Sequence, residues 1–371
     1  VNDLFFYGTL CYAPLLELVL GRKDVETAEA VLPGHLVTWV HNQPFPIIQV
    51  QSDATARGVL VRGLTEDDRA RLSFYEGAFD YDLKPLEVTL PQGEKANAQV
   101  FFPSSNQWVP GADWHLEDWI SKWGPLSLRA AEEVMAFFGR LTAEEAAERL
   151  PSIRIRAAAW LAAQNRPADP NRDIDTDVVV LNHRRAYLNF FGVEEADLRF
   201  RRHDGTMSTP LNRGALMVGQ AAVVLPYDPV RDCVLLIEQF RAPVFMCGDR
   251  SPWVWEPVAG LVDPGETPDQ SAHREAMEEA GLTLKAIEKA GEVYSSTGSS
   301  SEYLHLYIGL ADLTDTTDTG GLAEEGEDIR SQIITYDALM DGIDAHVYRD
   351  MPLVTTALWL ARHRDRLRKI A

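Results

Sequence analysis

Over the first hundred or so positions the apolar residues fall in short alternating stretches, LFFYGTL, HLVTWV, ARGVLVRGL, KPLEVTL and NAQVFF, set apart by Gly, Pro and charged residues. Alternation is the mark of half-buried strands, so residues 1–112 read as one β-rich domain. From Asp113 the spacing changes. EDWISKW, LRAAEEVMAFFGRL and TAEEAAERL are rich in Ala and Glu and space their apolar positions as helices do. They predict a helical connector over residues 113–168, broken at Pro125 and Pro151, where the ring removes a backbone donor. The polar stretch NRPADPNRDIDTD opens a second domain, residues 169–371. In it AYLNFF, LRFRRHDG, GQAAVVLPYD and CVLLIEQFRAP read as successive strands, with a turn at Asp228-Pro229 between the last two. A helix over residues 268–280, strands through YLHLYIGLA and RSQIITY, and a helix ending LWLARHRDRLRKIA follow.

The 371 residues, 46% apolar and 25% charged, suit a globular chain of two domains, each able to bury a core. No apolar run approaches the roughly 20 residues of a spanning helix, and no basic stretch precedes FFYGTL. A cytoplasmic protein with no membrane partner is expected. The net charge of -21 repels phosphate backbones and argues against nucleic acid as a partner. A small anionic substrate would then need a bridging cation. Cys11, Cys233 and Cys247 are odd in number and lack C-x-x-C spacing, so they suggest neither a disulfide framework nor a thiolate zinc site, and read as small core residues.

The densest chemistry lies at residues 260–282, GLVDPGETPDQSAHREAMEEAGL. Thr267 suits a helix N-cap, Pro268 the first helical position, Gln270 a capping box and Gly281 the helix end. Within that helix Glu275, Glu278 and Glu279 are three and four apart, so their carboxylates share one face. Clustered carboxylates repel one another unless a hard cation compensates them, and oxygen donors on a rigid helix suit magnesium or manganese beside a diphosphate. Arg274 can pair with Glu278 one turn on and orient the cluster. A solvated acidic helix face would explain the glutamates alone, but not the spaced glycines and Glu266.

The segment fits G-x5-E-x7-R-E-U-x-E-E-x-G-U at every fixed position, with U aliphatic or small, and so resembles the Nudix box. The resemblance to bacterial ADP-ribose pyrophosphatases extends through LPYDPVRDCVLLIEQFRAPV, WEPVAGLVDPGE, STGSSSE and GLAEEGEDIR. It implies magnesium-dependent hydrolysis of the pyrophosphate bond of ADP-ribose or a related nucleotide, giving AMP and ribose 5-phosphate, by a homodimer. It also implies that the Ala259 carbonyl, Glu275 and Glu279 are metal ligands, and that Glu278 belongs with the catalytic residues. The acidic loop GLAEEGEDIR would supply the base that activates water, Glu325 first and Glu327 next. Arg241 and Glu256 match positions near the substrate, or form a structural ion pair. Gly298 and Glu302 match a substrate loop in which Thr297 replaces the usual proline, which bears on how the terminal ribose is received.

At the other end Tyr7, Gly8, Thr9 and Leu10 follow an apolar strand directly, and the glycine frees backbone N–H groups for an anion-binding nest. With PFPIIQV, ARGVLVRGL and LSFYEGAFDY in that order, residues 1–112 resemble γ-glutamylcyclotransferase-like (AIG2-like) proteins. That resemblance implies a γ-glutamyl amine as a second substrate, held by residues 7–10, with Glu76 moving a proton as 5-oxoproline forms. Tyr81-Asp82-Leu83 departs from the Tyr-x-Arg often found there. The expected class is therefore α+β in two domains: a β-rich cyclotransferase-like barrel, a helical connector and an α/β/α Nudix sandwich. The same two-domain order resembles proteins labelled for tellurite resistance. A Nudix-fold metabolite sensor, or a cyclotransferase regulated by its Nudix part, are the rival readings; the complete glutamate set favours hydrolysis.

Overall fold

Strands that pair with both neighbours and return to the first leave no open sheet edge, and the N-terminal part of the chain is built in this way. The computed structural model describes residues 3–77, 81–103, 108–314, 319–320 and 328–369. It divides into two compact units, Val1–Arg166 with Leu188–Phe190, and Pro167–Tyr187 with Phe191–Ala371. The first contains β1 (Leu4–Phe6), a 3-10 turn (Thr9–Cys11), α1 (Ala13–Leu20), β2 (Glu26–Val40), β3 (Pro46–Arg62), α2 (Glu66–Glu76), β4 (Tyr81–Thr89), β5 (Lys95–Pro103), β6 (Pro110–Asp113), α3 (Leu116–Met135), α4 (Ala143–Glu148) and α5 (Leu150–Gln164).

The strand order β3-β1-β5-β4-β2 closes through a β2–β3 pairing into a barrel, with β6 added beside β2. Phe5, Leu32, Ile48, Leu60, Val88 and Val100 fill it. The opposite face of β1, Leu4 and Phe6, packs with Leu15, Val19, Leu72 and Trp119 from α1, α2 and α3. The alternating pattern showed the strands but not α1 and α2, short helices inside a β-rich sequence. α2 starts at a capping box in which Thr65 and Asp68 bond reciprocally.

The expected break at Pro125 does not occur: α3 runs through it unbroken from Leu116 to Met135. A proline inside a helix costs about 3 kcal/mol or more. Burial of Trp119, Leu126, Ala130, Ala131 and Val134 along the same helix offsets that cost. Pro151 does mark a helix start, in the first turn of α5.

The second unit contains α6 (Ile174–Asp177), β7 (Val178–Leu188), β8 (Gly192–Phe200), β9 (Leu211–Met217), β10 (Gln220–Asp228), β11 (Cys233–Phe240), α7 (Ala242–Met246), β12 (Trp253–Glu256), β13 (Val258–Leu261), α8 (Pro268–Ala280), β14 (Ala286–Tyr294), β15 (Tyr303–Leu310), β16 (Thr319–Gly320), β17 (Ile329–Thr335), α9 (Tyr336–Asp344) and α10 (Met351–Leu367). The main sheet has the order β14-β15-β10-β11-β17-β16, with β12 on β11 and β13 on β10. Helices cover both faces: Ala272, Ala276 and Ala280 of α8 pack with Ala222, Val224 and Leu235, while Leu339, Leu353, Ala357 and Leu360 of α9 and α10 pack with Leu225, Tyr227 and Leu236. Double coverage explains why β10 is apolar without alternation. Strands β7, β8 and β9 form a separate sheet.

No helix among the described residues is long and apolar enough to cross a membrane. Cys233 is buried and Cys11 half-buried, but Cys247 is exposed, contrary to the expectation that all three are core residues. It ends the short helix α7, which has no buried face.

Candidate active site

Small residues bring α8 close to the sheet. Ala272 and Ala276 have no exposed surface, and the adjoining stripe of Ser271, Glu275 and Glu279, one turn apart each, is pressed against the same side. Thr267 caps the helix with Gln270 in a reciprocal box, and Gly281 ends it in the left-handed conformation. Glu279, only 2% exposed, accepts a hydrogen bond of 2.9 Å from the Ala259 amide of β13. Glu275, 8% exposed, lies over Gly260, where any Cβ would overlap its carboxylate. That glycine is required by close approach rather than by its backbone angles.

Arg274 organises the rest. Its guanidinium bonds Glu266 at 3.0 and 3.1 Å, Glu275 at 2.6 Å, Glu278 at 2.9 Å and the Leu261 carbonyl at 3.0 Å. One positive charge thus faces Glu266, Glu275 and Glu278, and Glu279 adds a fourth carboxylate. Gathering carboxylates at a partly buried place is costly, and a bound cation lowers that cost. Among the described residues no group of three or more His, Cys, Asp or Glu side chains converges to hold a metal on its own. The donors at hand are two buried carboxylates beside β13, oxygen groups that fit a hard divalent ion that shares its remaining positions with substrate oxygens or water.

Arg241, just beyond the end of β11, and Glu256, the last residue of β12 and paired with Ile237 inside β11, are ion-paired, with two hydrogen bonds of 3.0 Å. Burial lowers the Arg241 proton affinity, but Glu256 outweighs it and Glu279 and Asp350 act in the same direction, so the net shift is upward. The pair therefore sits within electrostatic reach of the α8 carboxylates. Glu302 follows the serine-rich loop before β15, with its amide bonded to Ser300 Oγ at 3.1 Å. Gly298 has open space where a Cβ would be added. Glu325 and Glu327 lie outside the described residues.

In the first unit, residues 7–10 and Glu76 line one cavity of about 120 Å³. Gly8 packs on Pro46, whose ring would lie 2.9 Å from an added Cβ, and the 3-10 turn is closed by the Cys11 amide on the Gly8 carbonyl at 3.0 Å. Glu76 is the last residue of α2. It is half-buried, and burial pushes its carboxyl up to about 7.

The family model described as "NUDIX domain" matches residues 217–351, and that described as "Gamma-glutamyl cyclotransferase, AIG2-like" matches residues 4–120. The ADP-ribose pyrophosphatase of Escherichia coli (strain K12) is 34% identical over 192 residues, which are 52% of this chain and 91% of the relative. The chain is a Nudix hydrolase. The ADP-ribose pyrophosphatase of Haemophilus influenzae is 36% identical over 160 residues, 43% of this chain and 74% of the relative. The GDP-mannose pyrophosphatase of Cronobacter sakazakii is 31% identical over 166 residues, 45% of this chain and 85% of the relative. This Nudix hydrolase therefore acts on nucleoside diphosphate derivatives, and carries an AIG2-like domain in its first unit.

Asp350 escaped the reading of the sequence. It caps α10 by accepting from the Leu353 amide at 2.8 Å, and its carboxyl is pushed up to about 7 by burial, with Glu256 and Glu302 adding to the shift. Asp-Met-Pro at residues 350–352 is a helix-start signature, which marked the cap but gave no sign of the acidic neighbours. Also unforeseen are the exposed rings of Phe240, Phe245 and Trp253 beside Arg241; Phe240 and Trp253 lie edge to face with centroids 5.4 Å apart.

Proposed function

We propose that the Nudix unit hydrolyses ADP-ribose to AMP and ribose 5-phosphate with magnesium, manganese being the alternative ion. The reading is carried by the buried carboxylates Glu275 and Glu279, one facing Gly260 and the other bonded to the Ala259 amide of β13. The Ala259 carbonyl, Glu275 and Glu279 would hold the ion. When bound, such an ion supplies charge neutralisation at the diphosphate and acidifies the attacking water. Glu325, with Glu327 second, accepts the proton from that water. Glu278, anchored by Arg274, keeps the glutamate face in register. Arg241, held in place by Glu256, offers a guanidinium to a phosphate or ribose oxygen, and the nearby aromatic faces suit a nucleobase. Gly298 and Glu302 receive the terminal ribose.

The names and coverage of the relatives support this substrate over others of the class. The test is a panel of ADP-ribose, GDP-mannose and NADH with and without magnesium. The highest kcat/KM is expected for ADP-ribose, with no turnover in chelator. A higher value for GDP-mannose or NADH would overturn the assignment.

Two further parts of the reading rest on separate observations. Because Glu76 and residues 7–10 line one cavity, the first unit is read as a γ-glutamylamine cyclotransferase. In that reaction the α-amine attacks the γ-carbonyl, the bond to the leaving amine breaks, and Glu76 carries the proton from one nitrogen to the other. Release of 5-oxoproline, lost on Glu76→Gln, tests it. Strands β7 to β9 expose Val179, Val180, Leu181, Tyr187, Phe200 and Leu216, apolar side chains on both faces of the sheet that suit burial by a second copy of the chain. A monomeric mass at micromolar concentration, with full activity, would refute that dimer.

A further inference from the structure

The cavity of the first unit is walled mainly by Phe, Pro and Ala side chains, yet it holds one acidic and one basic residue, Glu76 and Arg154. Neither has a hydrogen bond or ion pair with any described residue. Arg154 comes from α5, beyond the segment at residues 4–120 that matches the AIG2-like model. Among the described residues it lies over the ring of Trp123, whose centroid is 5.5 Å from the guanidinium carbon. The ring of Tyr75 lies within electrostatic range of both Glu76 and Arg154. The two charged groups are therefore in one neighbourhood without being paired.

A guanidinium withdrawn from water and given no carboxylate is expensive, because its desolvation is not compensated. A structural arginine of a helix normally finds an acceptor, as Arg156 of the same helix does in Glu133, at 2.9 Å. Arg154 instead lines an apolar cavity, and its planar fork of donors matches a carboxylate with two parallel hydrogen bonds. Burial pulls its guanidinium below the ordinary value while Tyr75 opposes the shift, and a bound anion would reverse that loss. The volume, about 120 Å³, compares with the ~150 Å³ of a cavity that takes benzene, so the ligand portion inside is compact, on the order of six non-hydrogen atoms.

We propose that Arg154 is the carboxylate-binding residue of this cavity, so that the first unit takes a compact ligand with its carboxylate at Arg154 and a hydrogen-bonding polar group at Glu76. The proposal rests on the cavity being a ligand site and not on turnover. It gives the helices α3 to α5 a part in recognition: Ser127, Ala146 and Leu150 complete the wall, and α5 delivers the cation.

The test compares 5-oxoproline with 2-pyrrolidinone, the same ring without the carboxylate, by titration calorimetry on the full chain. Binding of 5-oxoproline should be at least tenfold tighter than that of 2-pyrrolidinone. Arg154→Met should remove that difference by weakening 5-oxoproline alone, and Arg154→Lys should restore part of it. Near-ultraviolet circular dichroism, which reports on aromatic side chains in both units, controls for the fold of Arg154→Met, and unchanged ADP-ribose hydrolysis controls for the other unit. Equal affinity for the two rings, no binding of 5-oxoproline, or affinity unchanged in Arg154→Met would each overturn the proposal. Arg154-dependent binding without 5-oxoproline release from γ-glutamyl amines would sink the cyclotransferase reading and leave this one standing.

Discussion

Gly260→Ala separates the needs of the active site from those of the fold. An added Cβ would lie 2.5 Å from Oε2 of Glu275, and nearer still to Oε1 and the carboxyl carbon. Ordinary contact is about 3.5 Å, so the carboxylate must retreat by about 1 Å or more. It is the far end of a side chain, tied to Arg274 at 2.6 Å, and its retreat pulls the whole arginine cluster with it. A displacement of that size typically costs ~10²-fold in rate. Stability should change little, because the clash is with a movable group and replacing a strand glycine by alanine stiffens the unfolded chain by about 0.4–1 kcal/mol. The assay is kcat/KM for ADP-ribose across a magnesium titration, beside a thermal melt. A rate within threefold of the parent at saturating magnesium would refute the reasoning. A rate loss that came with a collapsed melting temperature would show that the glycine serves the fold instead.

Glu279→Gln should nearly abolish hydrolysis and raise the magnesium concentration needed for what remains, since the amide still accepts from Ala259 but lacks the charge; unimpaired turnover at saturating magnesium would count against the metal-ligand role. Glu325→Gln should lower kcat by ~10²–10⁴-fold with metal binding kept, as expected for loss of a general base; if Glu327→Gln shows this loss instead, the base is Glu327. The Glu76 carboxyl, raised by burial from 4.5 to about 7, stays protonated in the folded chain where the unfolded chain has released the proton. The native state thus binds more protons between those values, and the stability of the first unit should fall as pH rises from about 4.5 to 7 and then level off, a slope that Glu76→Gln removes. Chemical denaturation at several pH values, followed by tryptophan fluorescence, measures it.

The parts of the fold that could be read from the sequence are those in which local signals agree. Thr267, Pro268, Gln270 and Gly281 each specify a backbone state, and α8 has the bounds they imply. Strands β10 and β11 were legible because runs of Val, Leu and Ile buried on both faces have few alternatives. Local signals misled at Pro125, where the packing of Trp119 and Val134 outweighs the missing donor. They were silent on α1 and α2, whose helical character is fixed by contact with β1 as much as by their own eight and eleven residues. The glutamate face of α8 was visible in the spacing. The proximity of Asp350 and Arg154 to their sites was not, because each arrives from a distant helix and no periodicity encodes which cavity a helix will border.

The uneven exposure of the three cysteines makes the natural chain addressable at a single thiol. Burial holds the Cys11 thiol up at about 12, and burial likewise raises Cys233, so both stay protonated and unreactive toward maleimides near neutrality. Cys247 is exposed at the end of α7, the helix whose N-cap is Arg241. A fluorophore attached there without any mutation would stand beside the arginine proposed to receive the nucleotide, and could follow substrate arrival in stopped flow.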